Sequence, residues 1–350
     1  MSFLKNDVSA SAHGMFYLKP APWYWGRFLR AALCVGLPFA IGLYLNNIMP
    51  WMWVAMGTLM MTTGERNVAY GPRMTGLLRS SVLGAAGYLL GYLSHIPFEW
   101  TIVVMACIGY AASVLSQKGP NWSIGCLQLL LTASIAIGVP SIANFFVPAG
   151  LYLVGALLYV AVLGIEALIE QKSAQKPVTS KGVEKAPAVA LPAAALALCL
   201  AAAYSSKYFI PENHWFWIPL TVGLIMKPDL GNIVNRSVLR CLGTAVGVLI
   251  ATAILMFVPK DVWMALFIAV FAGVLPWCMA RSYAFQAVVL TPLVLLLVDV
   301  IVPGEQNVNY GIQRFFDTLI GASIVLLLGY VFWRVLDVFA KRFYEDLSQK

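Results

Sequence analysis

The side chains best suited to chemistry in this 350-residue sequence lie in or beside apolar stretches. Asp299 and Asp317 fall near the ends of two such stretches, and Arg314 lies three residues before Asp317. A carboxylate inside a membrane costs about 2.5–3.5 kcal/mol at mid-span, so these acids are functional candidates. His214 is predicted on the same side, and its imidazole titrates near neutral pH. The four residues are therefore candidates for proton coupling.

Each of these residues also has a simpler interpretation. Free N–H groups at the start of a helix stabilise a carboxylate, which makes Asp317 a helix-end residue paired with Arg314. Asp299 is then an interfacial acid, and His214 is a hydrated loop residue. Both interpretations stay open on the sequence alone.

Four arginines are candidates for binding an anion. Guanidinium groups bind carboxylates with two parallel hydrogen bonds, and a cluster of them would form a positive vestibule. The alternative is that they set the orientation in the membrane and bind lipid phosphate. These residues are Arg73, Arg79, Arg236 and Arg240. Arg240 is the strongest candidate because the closely packing residues Gly243 and Gly247 follow it in one helix.

Four tryptophans begin two of the apolar stretches: Trp51, Trp53, Trp215 and Trp217. They are typical of an aromatic belt at the membrane interface, or they stack on an aromatic substrate. Pro219 and Gly223 are expected to interrupt the second of these stretches, which would leave unwound backbone free to bind an ion or substrate.

The composition identifies the class of protein. Hydrophobic residues make up 61% of the chain and charged residues 11%, whereas soluble domains carry about 25% charged residues. This excludes a water-soluble enzyme and a disordered chain. The net charge is +8, but the charged residues are too few to form a continuous basic surface for nucleic acid. The six cysteines lie in apolar stretches without metal-ligand spacing, and no nucleotide-binding or catalytic motif is present. We expect no enzyme activity, no cofactor and no metal.

Apolar stretches of about 20 residues predict membrane-spanning helices. Twelve candidates are present, of which the second and eighth are short: 30–47, 50–63, 78–94, 99–116, 121–139, 145–167, 187–206, 214–226, 238–258, 262–279, 284–302 and 315–336. With both termini in the cytoplasm, 20 of the 23 Lys and Arg residues fall inside. Only Lys207, Lys260 and Arg314 fall outside.

The two halves of the chain resemble each other. Trp51 and Trp53 recur as Trp215 and Trp217, and a Val-Pro pair ends the fifth span of each half. Six spans per half give both halves the same orientation, so the predicted fold is an all-α membrane protein of twelve transmembrane helices in two parallel six-helix repeats. The predicted divisions are a cytoplasmic or interfacial N-terminal segment (1–29), the first repeat (30–167), a cytoplasmic linker (168–186), the second repeat (187–337) and a cytoplasmic tail (338–350).

Two motifs in the second half resemble the fusaric acid resistance/aromatic acid exporter family. They are Arg-x-x-Gly-Thr-x-x-Gly from Arg240 to Gly247 and Arg-Phe-Phe-Asp-Thr-x-x-Gly from Arg314 to Gly321. The first half does not keep these motifs at the corresponding positions. A linker occupies the place where larger members of the family have a cytosolic domain. The resemblance implies proton-driven export of aromatic or other organic acids through the bacterial inner membrane, with a periplasmic membrane-fusion adaptor as partner.

The leading hypothesis is therefore a multi-pass inner-membrane exporter of organic anions. Two alternatives are a non-transporting anchor or assembly subunit of an adaptor complex, and an anion channel. Gly87 with Gly91, and Gly243 with Gly247, form Gly-x-x-x-Gly pairs that pack helices within one chain or between chains. A homo-oligomer is thus compatible with the sequence.

Overall fold

The computed structural model describes residues 18–139, 142–169, 190–210, 215–226, 233–259, 261–299 and 308–331. These ranges contain twelve α-helices and no β-strand. The helices are α1 (Trp25–Tyr44), α2 (Ile48–Gly64), α3 (Tyr70–Leu89), α4 (Phe98–Ser116), α5 (Pro120–Gly138), α6 (Phe146–Ile169), α7 (Ala190–Ser205), α8 (Trp217–Ile225), α9 (Ile233–Phe257), α10 (Val262–Arg281), α11 (Tyr283–Asp299) and α12 (Val308–Ile324). Short 3₁₀ segments extend α3 and α7, and the π-helical segment Val325–Val331 extends α12.

Eight helices in the described ranges are long and apolar enough to cross a membrane by themselves: α1, α4, α5, α6, α7 with its extension, α9, α10 and α12 with its extension. The chain is therefore an all-α, multi-pass membrane protein, as expected. The other four helices are too short or not apolar enough to meet these criteria. Helices α2 and α11 have 17 residues each and α8 has nine, while α3 is less apolar and carries Arg73 and Arg79. A membrane span at these four positions stays a prediction.

Helix α8 differs from its expected form. The sequence predicted an interruption at Pro219 and Gly223, but α8 continues through both residues. Pro219 is tolerated because it lies in the first turn, where a backbone N–H has no acceptor within the helix. All nine residues of α8 are buried, as is the run Met52–Leu59 of α2. Helices that are apolar on every side belong in the interior, and these two occupy it.

The two halves interlock through equivalent helices. The first helix of each half packs against the fourth helix of the other, α1 against α10 and α7 against α4. Within each half the third helix packs against the fifth, and the second against the sixth. The central helices α2 and α8 are therefore packed against other helices of their own halves. Residues of both halves can line a cavity between them.

Glycines allow the closest of these crossings. A Cβ atom on Gly155 of α6 would overlap the carbonyl oxygen of Val54 in α2, and one on Gly57 would overlap the carbonyl oxygen of Tyr152. In the second half, a Cβ atom on Gly321 of α12 would lie 3.0 Å from the carbonyl oxygen of Ile218 in α8. Backbone contact at the α2–α6 crossing therefore requires glycine.

We predict that Gly155→Ala destabilises the protein, because the new methyl group must push α2 and α6 apart. Overpacking of this kind costs about 1–3 kcal/mol. Gly150→Ala is the matched control, since that glycine lies in the same helix and a methyl group added there would meet no atom within 4 Å. Thermal unfolding in detergent measures both. A normal melting temperature for Gly155→Ala would contradict the close crossing.

Candidate functional site

A cavity of about 210 Å³ lies between the two halves. Helices α2 and α5 of the first half and α8 and α11 of the second contribute most of its lining. Apolar side chains predominate, and the charged residues among the described lining residues are Arg240 and Arg314, both cationic. Since drug-sized pockets typically have volumes of about 300–1,000 Å³, this cavity suits a compact ligand.

Arg240 reaches the cavity from the second turn of α9. Its side chain is buried, with 2% of the residue exposed, and its Nε atom has no hydrogen-bond partner in the described structure. No carboxylate of the described residues lies within 4.0 Å of its guanidinium nitrogens. A buried charge without a partner is strongly unfavourable, so an anionic ligand in the cavity would relieve that cost.

Two further polar atoms beside the cavity lack hydrogen-bond partners within the described residues. They are the indole Nε1 of Trp217 and the hydroxyl oxygen of Thr291, and both residues are buried. An indole N–H only donates, and a hydroxyl can donate. Together with Arg240 they indicate a ligand that is rich in acceptor atoms.

Arg314 lies at the opposite end of α8 from the part of the cavity near Arg240. Its guanidinium carbon is 4.3 Å from the centre of the Trp217 ring, and Nη1 donates to the hydroxyls of Thr318 at 2.9 Å and Thr221 at 3.3 Å. These contacts hold Arg314 over the aromatic ring. Asp317 is buried one turn further along α12, outside the described lining of the cavity.

The predicted tryptophans separate into one cavity residue and three packing residues. Trp217 lines the cavity. Trp53 is buried with its ring edge-on to Tyr88, with the centroids 5.3 Å apart, and Trp215 is buried among other aromatic rings. Trp51 is half-buried beside α1. The structure therefore supports a ligand contact for Trp217 alone among the four.

Among the remaining predicted residues, Arg79 and Arg236 lie outside the described lining of the cavity. Arg79 is exposed on α3, and Arg236 is half-buried in the first turn of α9. Asp299 is the last residue of α11. His214 lies outside the described residues.

Arg73 does not line the cavity and belongs to a buried ion cluster in the first half. Its centre is Glu65, in the loop after α2, which accepts hydrogen bonds from Nη2 of Arg30 at 2.7 Å and from the hydroxyl of Tyr159 at 2.5 Å. Nη1 of Arg73 lies 3.2 Å and Nε of Arg27 lies 3.4 Å from the same carboxylate. Arg73 is thus paired with a carboxylate, whereas Arg240 has no carboxylate partner among the described residues.

Burial alone would raise the pKa of Glu65, but the adjacent Arg30, the hydrogen bond from Tyr159 and the charge of Arg27 hold that pKa below its ordinary value. Glu65 is therefore ionised at neutral pH. A second acid, Glu166 of α6, forms an ion pair with Arg30 and accepts a hydrogen bond from Tyr70. The cluster ties α1, α3 and α6 to the end of α2.

Several of these residues carry no clear signal in the sequence. Glu65 and Glu166 were not singled out, because nothing in their spacing shows that they meet Arg30. The cavity residues Gln128, Gln286 and Thr291 were missed as well. An amide side chain within an apolar helix is the signal that would have identified the two glutamines.

We predict that Glu65→Gln destabilises the protein by about 3–5 kcal/mol, because buried arginines lose their counter-charge. Since the folded-state pKa of Glu65 is lowered, its stabilisation is complete above the unfolded-state pKa of about 4.3 and is lost as the pH falls through the folded-state pKa. Thermal unfolding from about pH 7 to pH 3 should show this acid-dependent step in the wild type and a smaller one in the variant. Glu99→Gln, at an exposed hydrogen bond to Tyr208, should change stability by about 1 kcal/mol or less. Equal effects of the two substitutions would contradict the role of the cluster.

Comparisons with known proteins agree with the architecture. Residues 195–328 match the family model described as fusaric acid resistance protein-like. The membrane protein YvaC of Bacillus subtilis (strain 168) is 33% identical over 123 residues, 34% of this chain and 19% of YvaC. The inner membrane protein YccS of Escherichia coli (strain K12) is 32% identical over 130 residues, 37% of this chain and 18% of YccS. The chain thus covers less than a fifth of either relative, and no solved structure matches.

Proposed function

We propose that the protein, whose residues 195–328 match the family model described as fusaric acid resistance protein-like, is an efflux transporter for aromatic or other organic acid anions. It works in the bacterial inner membrane, as the name of YccS suggests for that relative. Proton influx drives export, and a periplasmic membrane-fusion adaptor carries the substrate onward.

The observation that carries this proposal is the buried guanidinium of Arg240, which faces a cavity between the two halves and has no counter-charge among the described residues. A positive charge without a described counter-charge favours an anion over a neutral molecule. The charge lies in a low-dielectric surrounding, where its attraction for an anion is stronger than in water. A carboxylate fits because it accepts two hydrogen bonds from one guanidinium.

The aromatic part of the proposal is supported by the rest of the cavity. Trp217 offers an indole ring, Arg314 is stacked on that ring, and methionine and leucine side chains surround them. A flat apolar body is favoured in such a site by burial and by ring contacts. Arg240 and Trp217 are accordingly the proposed substrate residues, with Arg314 positioning the ring. The half-buried Arg236 is proposed at the cytoplasmic entrance.

Alternating access is supported by the equivalent packing of the two halves. We place the two six-helix units at 30–167 and 187–337, related by an axis along the membrane normal, with both termini cytoplasmic. The reciprocal contacts of α1 with α10 and of α7 with α4 are those expected of such a repeat. Rocking of one half against the other would open the cavity to either side in turn.

We predict that Arg240→Ala raises the KM for benzoate at least about 30-fold, because loss of a desolvated charge contact costs about 2–5 kcal/mol. The measurement is benzoate flux in proteoliposomes under an imposed pH gradient. Arg79→Ala is the matched control, since Arg79 is exposed and lies away from the cavity. An unchanged KM in Arg240→Ala would remove this residue from the substrate site.

The same vesicles separate the alternative functions. Benzoate flux that follows voltage without any dependence on the pH gradient would identify an anion channel. Adaptor binding without benzoate flux would identify an anchor or assembly subunit. Flux driven by the pH gradient is the result that the exporter requires.

Proton exchange is assigned to Asp317, with Asp299 and His214 as further candidates. Asp317 is buried one turn after Arg314, so its charge state changes the field around the guanidinium that stacks on Trp217. Protonation from the outer side would thereby be coupled to the substrate cavity.

We predict that Asp317→Asn lowers pH-gradient-driven benzoate flux at least tenfold while exchange of benzoate between the two sides of the vesicle continues. The amide keeps the shape of the side chain and cannot carry the proton. Glu99→Gln, an exposed acid on α4, is the control and should leave both rates unchanged. Wild-type driven flux in Asp317→Asn would exclude the residue from coupling.

A further inference from the structure

A second cavity lies at the end of the bundle where α1 and α3 begin. Its volume is about 300 Å³. Most of its lining comes from the chain around the start of α1, at Trp23–Arg27, and around the start of α3, at Val68–Tyr70 with Arg73. Glu166 of α6 completes it. None of these residues lines the cavity that contains Arg240.

The charges around this second cavity do not balance. Three arginines of the ion cluster, Arg27, Arg30 and Arg73, face two carboxylates, those of Glu65 and Glu166. Among the described residues of the cluster, one positive charge is therefore left over.

Arg27 is the member of the cluster whose guanidinium is most accessible to a ligand. Its side chain is 22% exposed, against 1% for Arg30 and 7% for Arg73. Nε is directed at Glu65 and Nη2 donates to Asn67, while Nη1 has no hydrogen bond or ion pair in the described structure. Arg27 lines the cavity, so its guanidinium has donor capacity left for a ligand there.

Aromatic side chains place this cavity at the level of lipid headgroups. Trp23, Tyr24 and Trp25 are 37%, 42% and 66% exposed, although each lines the cavity. Exposed tryptophan and tyrosine at the end of a membrane helix are typical of the interface between headgroups and acyl chains. A ligand that reaches the cavity from the membrane would arrive with its headgroup at this depth.

We infer that this cavity binds the phosphate headgroup of an anionic phospholipid. Basic pockets between transmembrane helices bind anionic headgroups, and the spare guanidinium N–H of Arg27 supplies the donor that a phosphate oxygen needs. The apolar faces of Trp23 and Trp25 would contact the glycerol and the upper acyl chains. Free phosphate shares the charge and the acceptor atoms, but it would gain nothing from these aromatic side chains.

The position of the cavity gives such a lipid a structural consequence. Trp23 also packs edge-on against Trp277 of α10, with ring centroids 5.6 Å apart, and the backbone N–H of Lys19 donates to the carbonyl of Arg281 at 3.1 Å. The segment that lines this cavity therefore adds to the contacts between the start of α1 and the second half. A bound headgroup would strengthen this connection.

The test uses the purified full chain in a neutral detergent. Native mass spectrometry counts bound dioleoylphosphatidylglycerol, and thermal unfolding follows its effect on stability. We expect phosphatidylglycerol to bind and to raise the melting temperature, and dioleoylphosphatidylcholine and inorganic phosphate to do neither. Arg27→Gln should weaken phosphatidylglycerol binding about tenfold, whereas Arg27→Lys, which keeps the charge, should retain most of it.

Arg79→Gln is the control, since it removes an exposed arginine from α3 at a distance from this cavity. It should leave binding unchanged and thus exclude a general effect of surface charge. Equal phosphatidylglycerol binding by Arg27→Gln and the wild type would overturn the site. Stabilisation by inorganic phosphate as strong as that by phosphatidylglycerol would overturn the lipid assignment. If Arg27→Gln does not fold, loss of binding in Arg79→Gln or equal binding of phosphatidylcholine to the wild type would still overturn it.

Discussion

The cost of burying the Arg240 guanidinium without a described counter-charge is the constraint on which this account of the protein depends. An isolated charge in an apolar surrounding is unfavourable by several kcal/mol, so folding must supply that free energy from other contacts. The interlocked helices supply it: α8 and α2 are buried on nearly all sides, and glycine crossings bring backbones into contact. A rigid frame of this kind can hold an unsatisfied charge open to a cavity.

The buried arginines of the two halves have different environments. In the first half Arg30 and Arg73 are closed around Glu65, and the cluster holds three helices together. In the second half Arg240 faces the cavity and Arg314 is stacked on Trp217. Residues of one type therefore stabilise the scaffold in one half and are offered to a ligand in the other. If the two halves are repeats and the cavity binds an anion, as we propose, the binding chemistry lies in the second half.

The sequence predicted the class of fold well, because composition and the length of apolar stretches depend on the membrane and not on tertiary contacts. It named Arg240 as an anion-binding candidate from guanidinium chemistry, and Trp217 as either an interfacial or a stacking residue. The structure places both beside one cavity, and their role in binding stays a prediction. The sequence favoured Arg240 over Arg73 because two closely packing glycines follow Arg240 in one helix. It could not show that Arg73 is paired with a carboxylate, because that depends on the three-dimensional position of Glu65. The sequence pattern also could not predict that α8 continues through Pro219. A proline is best tolerated in the first turn, and the sequence does not show where the helix begins.

The most direct test of this account is the affinity of the purified protein for a matched pair of ligands, benzoate and benzamide, measured by isothermal titration calorimetry. They have nearly the same shape and differ in charge. The wild type should prefer benzoate by at least about 30-fold, and Arg240→Gln should bind both with similar affinity. If the preference for benzoate survives in Arg240→Gln, or is absent from the wild type, the unpaired arginine is not what selects the anion.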